Sequence, residues 1–254
     1  MRTQKLTFLS TLILILFMGV LKAQNGSSQA YWVHEDVVKP SMIGQYESIC
    51  KELTDNMKKY NIQEFNVIVS NTADNRYLWV SPINGMADIE KPIFKTLSEK
   101  MGEEKMGDLF DRMDKCYDIE QNYVIHLDKE LSYMPGGITQ TPEGQEYRKF
   151  HYYHYTPSNR AEVNKKVKAI KNLFESKGSK LDYRLYRSGF GTRGAFYMVA
   201  IAAKDEADYA GKIAANNELM GEEWQNAYSD FISSLEKYEA FEGRMRPDMG
   251  YAPK

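Results

Sequence analysis

The sequence Met-Gly-Glu-Glu at residues 101–104 returns at residues 220–223, an offset of 119 (220 minus 101). Further along, Glu-Leu-Ser-Tyr-Met-Pro at residues 130–135 is echoed by Asp-Met-Gly-Tyr-Ala-Pro at residues 248–253, an offset of 118. Two matches in the same order indicate an internal repeat. Each copy in a repeat is one supersecondary unit that buries its apolar face against its neighbour. The two stretches therefore predict a chain of two similar halves.

Each half carries the same order of predicted elements. In the first half, strand patterns at residues 31–36, 65–70, 77–82 and 122–128 surround helical stretches at 43–60 and 89–117, with a break near Gly102. In the second half, strand patterns at 150–155, 181–187, 194–202 and 238–245 surround helical stretches at 159–178, 205–217 and 222–237. The order β-α-β-β-α-β is the ferredoxin-like arrangement, in which helices cover one face of an antiparallel sheet. The sequence thus predicts an α+β protein.

The repeat also sets the domain boundaries. Residues 1–23 combine a basic start, an apolar run and the small residue Ala23, which is the pattern of a signal peptide. The first repeat is expected at residues 30–135, a linker at 136–147 and the second repeat at 148–254. The apolar run is shorter than the roughly 20 residues that span a bilayer. We therefore expect cleavage, no stable membrane insertion afterwards, and export to the periplasm or beyond.

Charge and cysteine content narrow the classes of partner. The formal net charge of −2 gives no electrostatic reason to expect nucleic acid. The two cysteines, Cys50 and Cys116, both belong to the first half. In an exported protein they could form a disulfide, and buried free thiols are equally compatible with the sequence. The oligomeric state does not follow from these features.

A family resemblance follows from the repeat, the element order and the Gly-Glu-Glu and Tyr-x-Pro positions. Over residues 30–253 the sequence resembles the dimeric α/β-barrel superfamily, as a fused tandem copy similar to NIPSNAP proteins and antibiotic-biosynthesis monooxygenases. The resemblance implies two tandem ferredoxin-like units whose antiparallel sheets pack face to face as a pseudo-dimeric α/β barrel. The superfamily includes cofactor-free monooxygenases, haem-degrading and chlorite-dismutase-like proteins, and members without known activity. It therefore implies a cleft but no particular reaction.

Candidate ligand-binding residues lie on the first strand of each half. At an offset of 120, Trp32 and His34 align with Tyr152 and His154, so that an aromatic side chain and a His share one strand face in both copies. We expect these four side chains to converge between the sheets, where a His could act as an acid or base or bind haem iron. Haem degraders of the superfamily use an Asn, a Trp and a His, and the sequence does not assign those positions around His34.

The remaining motifs favour binding over catalysis. His126 and His151 are not duplicated, which favours an incidental role for both. No metal-ligand spacing, nucleophile elbow or dinucleotide fingerprint occurs, so no metal site is predicted. We expect a non-catalytic module that binds a small apolar or aromatic ligand, or a partner, without a cofactor. The alternative is a haem-linked or cofactor-free oxygenase that uses His34 or His154. A structural envelope protein without a ligand is the third possibility.

Overall fold

The computed structural model describes residues 27–254. The predicted signal peptide at residues 1–23 lies outside the described residues. The strands are β1 (Ser28–Val38), β2 (Ile68–Thr72), β3 (Arg76–Ile83), β4 (Tyr117–Tyr133), β5 (Tyr147–Tyr155), β6 (Tyr183–Ser188), β7 (Ala195–Ala203) and β8 (Lys237–Met245). The helices are α1 (Ile43–Tyr60), α2 (Lys95–Met101), α3 (Glu103–Asp114), α4 (Arg160–Lys177) and α5 (Glu206–Ser233).

The eight strands form one closed antiparallel barrel in the order β1-β3-β2-β8-β5-β7-β6-β4. The α+β class is thereby confirmed, but the prediction of two sheets packed face to face is wrong. Strands of the two halves join edge to edge instead, where β2 pairs with β8 and β4 pairs with β6. Closure satisfies the backbone N–H and C=O groups that open sheet edges would leave unpaired.

The inside of the barrel is filled with side chains. Successive strand residues point to opposite faces, so Tyr31 and Val33 of β1 point inward with Phe150 of β5 and Phe196 of β7. The cavity that remains inside is about 50 Å³, which is room for a few water molecules. The barrel interior is therefore a packed core and leaves no space for a large ligand.

The helices cover the outer face of the barrel and create two further cores. The first lies under α1, α2 and α3, where Tyr46, Leu53 and Met57 form part of the buried face of α1. The second lies under α4 and α5. Cys50, on the buried face of α1, and Cys116 are buried free thiols, so the disulfide alternative is not formed. Within residues 27–254, no helix has both the length and the apolar character needed to cross a membrane.

The repeated Met-Gly-Glu-Glu stretch marks a break in the helices of both halves. Gly102 has φ +94° and separates α2 from α3, as predicted, and Gly221 has φ +61° and kinks α5. A side chain is rarely accommodated at such φ values, which explains glycine at both positions. The acidic residues Glu103 and Glu104 then occupy the first turn of α3, where they stabilise the helix dipole.

Candidate functional site

The structure does not bring the four predicted site residues together. Trp32 and His34 line a cavity between the barrel and its helices, whereas Tyr152 lines the barrel interior and His154 packs against it, with ring centroids 6.3 Å apart. The inward residues Tyr31 and Val33 of β1 correspond to Phe150 and Tyr152 of β5, which is an offset of 119 and not 120. A one-residue slip moves every side chain to the opposite face of a strand. The predicted equivalence of His34 and His154 is therefore wrong.

The cavity beside His34, here called the first cavity, has a volume of about 260 Å³. It lies between the outer face of β1 and β3 and the helices of the first half. Aromatic rings form much of its wall, namely Trp32, Phe65, Trp79, Phe94, Phe110 and Tyr117. Asp36 and Glu120 join His34 at one end of the cavity. The first cavity thus combines an apolar body with a polar end.

A hydrogen-bonded cluster holds this polar end in place. Asn122 lies directly opposite His34 in the β1–β4 pairing, and Glu120 lies opposite Asp36. The Asn122 Oδ1 atom accepts from Trp32 Nε1 at 3.0 Å and lies 3.1 Å from His34 Nδ1. Its amide nitrogen donates to Glu120 Oε1 at 2.9 Å. An Asn therefore joins Trp32 and His34, although the sequence did not place one there.

Asp36 controls the electrostatics of His34. Its Oδ1 atom lies 3.2 Å from His34 Nε2, and its side chain is only 1% exposed. Burial alone lowers the pKa of His34, but the hydrogen bond and charge of Asp36, helped by Asn122 and Glu120, outweigh that effect and raise it. The Asp36 Oδ2 atom accepts from the Tyr46 hydroxyl at 2.5 Å. A buried carboxylate is thus fixed beside a half-buried imidazole.

Tyr152 and His154 belong to the packing at one end of the barrel. The His154 Nε2 atom lies 3.0 Å from Glu239 Oε2, and its ring packs edge-on against Phe196 with centroids 5.7 Å apart. Tyr152 packs edge-on against Phe196 and Phe241. These contacts leave both side chains engaged with neighbours, beside an interior cavity of about 50 Å³. No ligand-sized space adjoins them on the inner face of the described barrel.

Neither predicted histidine fits haem. Haem iron needs a ring nitrogen with open space around it for the porphyrin. The two ring nitrogens of His34 face Asp36 and Asn122, and the interior beside His154 is far too small for a porphyrin. The geometry therefore gives no support to haem chemistry at His34 or His154.

A second cavity, of about 320 Å³, lies between β5–β7 and the helices α4 and α5. Its walls are largely apolar and aromatic, including Tyr153, Phe174, Tyr183, Trp224, Tyr228 and Phe231. His151, which the sequence suggested was incidental, is part of this wall. The alternation of β5 could have revealed this position of His151. Phe150 and Tyr152 point into the barrel, so His151 between them points outward, toward the helices.

His151 is held between two tyrosine hydroxyls. Its Nδ1 atom lies 2.7 Å from the Tyr238 hydroxyl and its Nε2 atom lies 3.0 Å from the Tyr209 hydroxyl. Burial, together with the positive charge of Lys149, lowers the pKa of His151 to about 4, so the imidazole is neutral at pH 7. Burial raises the pKa of Tyr209 to about 12 and also raises that of Tyr238. The three groups form a neutral chain along which a proton can move.

Comparison with known proteins places the chain by fold. No protein-family model matches it, and no curated protein matches it. Among solved structures it is similar to a candidate monooxygenase from Lactobacillus acidophilus, with 7% identity, coverage of 87% of this chain and 94% of that one, and a TM-score of 0.53. It is also similar to an anthrone oxidase-like protein, with 10% identity, coverage of 87% and 92%, and a TM-score of 0.54. A candidate monooxygenase from Fusobacterium nucleatum matches with 10% identity, coverage of 87% and 94%, and a TM-score of 0.52.

These similar structures correct the expected function. Their names are those of oxygenase-class enzymes and not of binding modules. The prediction of a non-catalytic module is therefore wrong. At 7–10% identity the likeness is one of fold. The chain has the closed α/β-barrel fold of these oxygenase-named structures.

Proposed function

We propose that the protein is a cofactor-independent oxygenase that acts on a small aromatic carbon acid in the second cavity. The observation that carries this proposal is the chain Tyr209, His151 and Tyr238, in which a neutral imidazole has a hydroxyl at each ring nitrogen. His151 and Tyr209 line the second cavity, whose walls are largely apolar. The fold shared with the anthrone oxidase-like protein supports the same reaction class.

The second cavity suits an aromatic substrate. A volume of about 320 Å³ lies at the lower end of the range for small-ligand sites, and mostly apolar walls with a few polar groups are typical of such sites. Trp224, Tyr228 and Phe231 offer ring faces and edges for stacking against the substrate. Asn217 adds an amide that can hydrogen-bond a carbonyl or phenol. The expected substrate is a compact fused-ring compound with one polar edge.

Proton transfer follows from the order of groups in the chain. In the tautomer with the proton on Nδ1, the Nε2 atom of His151 accepts from the Tyr209 hydroxyl. When a substrate C–H contacts the Tyr209 oxygen, Tyr209 takes that proton while its own passes to Nε2. Tyrosinate does not accumulate, since the Tyr209 pKa is about 12. Burial also disfavours the imidazolium form of His151. The hydrogen-bonded chain Tyr209, His151 and Tyr238 therefore suits substrates whose carbanion is already stabilised by conjugation.

The oxidation balances with O₂ as the only other reactant. The conjugated carbanion reduces O₂ and forms a C–O bond, and the imidazolium returns its proton through Tyr209 to the resulting peroxide. The remaining C–H bond of that carbon and the peroxide O–O bond then break together, so that the methylene carbon becomes a carbonyl carbon. The departing hydroxide takes the released proton and leaves as water. For anthrone the product is anthraquinone. The electrons come from the substrate, and the protein holds the substrate and moves the proton.

Anthrone is the probe for the test. We expect the purified chain to produce anthraquinone with equimolar O₂ consumption, measured by absorbance and an oxygen electrode. His151→Gln and Tyr209→Phe should lower kcat by about tenfold or more, in the range of general acid–base contributions. His154→Gln, on the other face of the sheet, is the matched control and should retain activity. If anthrone is not oxidised above the uncatalysed rate, or if His151→Gln is as active as the wild type, the proposal fails.

We also propose how the barrel arose and where in the cell the protein acts. The strand orders β4-β1-β3-β2 and β8-β5-β7-β6 both occur around the barrel, which supports a fused tandem of two ferredoxin-like units. The signal-peptide pattern at residues 1–23 supports export to the periplasm or beyond. Amino-terminal sequencing of the exported protein tests the second statement, because cleavage after Ala23 is expected.

A further inference from the structure

The polar end of the first cavity has a donor set that the proposed reaction does not use. His34, Asp36 and Glu120 each offer one ligand atom, and these atoms lie within 4.8 Å of one another. The closest two, His34 Nε2 and Asp36 Oδ1, are 3.2 Å apart. Atoms that share a metal ion at bond lengths of about 2.1 Å lie about 3.0–3.4 Å apart. This pair has the spacing of neighbouring ligands in a coordination sphere, and the Glu120 carboxylate, 3.7 Å from the other nitrogen of His34, is the third group nearby.

The hydrogen bonds around Asn122 decide which nitrogen of His34 is free to bind a cation. Trp32 Nε1 donates to Asn122 Oδ1, and Asn122 Nδ2 donates to Glu120 Oε1, so the amide can have only one orientation. Its oxygen therefore accepts from His34 Nδ1, which must carry a proton. When His34 is protonated, its Nε2–H donates to Asp36 Oδ1, which lies 3.2 Å away. In the neutral imidazole, Nε2 presents a lone pair to that oxygen, so that two acceptors face each other.

Asp36 supplies the second, independent observation. It is 1% exposed, and among the described residues the only donor beside its buried Oδ1 atom is a protonated His34. Its other oxygen is occupied by the Tyr46 hydroxyl, which itself accepts from Trp79 Nε1 at 2.9 Å. A buried carboxylate oxygen left without a donor is costly, and a bound cation removes that cost. This oxygen lies opposite His34 Nε2, the imidazole nitrogen that Asn122 does not occupy.

We propose that His34, Asp36 and Glu120 bind one divalent transition-metal ion, of the Zn²⁺ class, at the polar end of the first cavity. Imidazole nitrogen with carboxylate oxygen is a donor set that suits such ions. Three protein ligands leave further positions open toward the cavity, where water or a ligand can coordinate. Asn122, which holds both His34 and Glu120, and Tyr46, which holds Asp36, orient the ligands from behind.

This site goes beyond the proposed oxidation, which takes place in the other cavity. The sequence did not predict it, because the third ligand is 86 residues from the first (120 minus 34) and only strand pairing brings them together. The metal-site proposal and the oxygenase proposal can therefore be tested independently of each other. Anthrone oxidation is measured with chelator-treated protein, and metal binding is measured without anthrone.

Tag-free protein, stripped with a chelator, is titrated with Zn²⁺ by calorimetry and with Co²⁺ by visible absorption. We expect one saturable site per chain and a Co²⁺ ligand-field spectrum. Glu120→Gln, at a side chain that is 47% exposed, should fold normally and bind Zn²⁺ at least about tenfold more weakly. Asp36→Asn should weaken binding at least as much. Asn122→Ala should weaken it by about 10–100-fold and change the Co²⁺ spectrum.

Glu239→Gln is the matched control. It removes a carboxylate that also lies about 3 Å from a histidine, at 3.0 Å from His154, outside the proposed ligand set. It should bind Zn²⁺ as the wild type does. The proposal is overturned if the wild type shows no saturable binding of Zn²⁺ or Co²⁺, or if Glu120→Gln binds them as tightly as the wild type. Both deciding outcomes are measured on the wild type and on Glu120→Gln, which is expected to fold. Misfolding of Asp36→Asn would therefore not affect the test.

Discussion

Gly243→Ala should open the seam that closes the barrel. Gly243 of β8 pairs with Thr72 of β2, where strands of the two halves meet. A Cβ atom at this position would lie 2.2 Å from the carbonyl oxygen of Asn71 and 3.1 Å from a ring carbon of Phe150. The oxygen belongs to the backbone, so no rotation of a side chain can relieve the contact. The two strands themselves must move apart.

The size of the effect follows from these distances. An ordinary contact of about 3.4 Å requires a separation of about 1.2 Å (3.4 minus 2.2). Hydrogen bonds at the ends of the seam, from Ala73 N to Glu242 O and from Arg246 N to Val69 O, are both 2.8 Å long. They would stretch to about 4 Å and break, at a net cost of about 1 kcal/mol each. We therefore expect a loss of about 1–3 kcal/mol, which matches the usual cost of overpacking.

Urea unfolding followed by circular dichroism measures this loss. Gly211→Ala is the matched control, since it makes the same substitution within α5, where a Cβ atom would meet nothing within 4 Å. It should stabilise the protein by about 0.5–1 kcal/mol because Ala favours the helix. If Gly243→Ala proves as stable as the wild type, the β2–β8 seam does not have the geometry described here, and the closed barrel is in doubt.

Three further predictions concern titration and reactivity. Hydrogen bonds from Arg246 lower the pKa of Glu47 and of Asp248, so their contribution to stability is present above the ordinary carboxyl pKa and lost as the pH falls through the lowered values. Arg246→Met should therefore be less stable than the wild type at pH 7, and urea midpoints should converge in acid; a constant difference would contradict this. The pKa of His151 is about 4, below the unfolded value of 6.5, so protonation favours unfolding and stability declines as the pH falls from 6.5 toward 4. Its NMR signals should show no titration above pH 5, and a midpoint near 6.5 would contradict the placement of His151 between Tyr209 and Tyr238. Burial raises the pKa of the Cys50 thiol, so a thiol reagent should modify it only after unfolding; rapid reaction in the native protein would refute its burial.

The glycines of the repeated stretch show which structural features can be predicted from the local sequence. Gly102 and Gly221 both have positive φ, and both interrupt a helix in front of a Glu-Glu pair. The helix break at Gly102 could be predicted because glycine, acidic first turns and apolar periodicity are all local properties. The helix at Ile43–Tyr60 was predictable for the same reason.

The candidate sites depended on information that is not local. Trp32 and His34 could be selected from their strand, but Glu120 and Asn122 become their neighbours only through the β1–β4 register. His151 was set aside because it has no duplicate, yet its partners Tyr209 and Tyr238 come from α5 and β8. Hydrogen bonds between distant elements leave no periodic signal in the sequence.

The amino-acid sequence by itself determined the α+β class and the order of helices and strands, since hydrophobic period and turn residues act over a few positions. Only the tertiary structure decided which strand edges join and which way each side chain points. An offset of 120 in place of 119 was enough to assign His34 and His154 to one face, although they lie on opposite faces. The physical reason is that side chains alternate with a period of two, so register must be known to a single residue, and the pairing of neighbouring strands sets it.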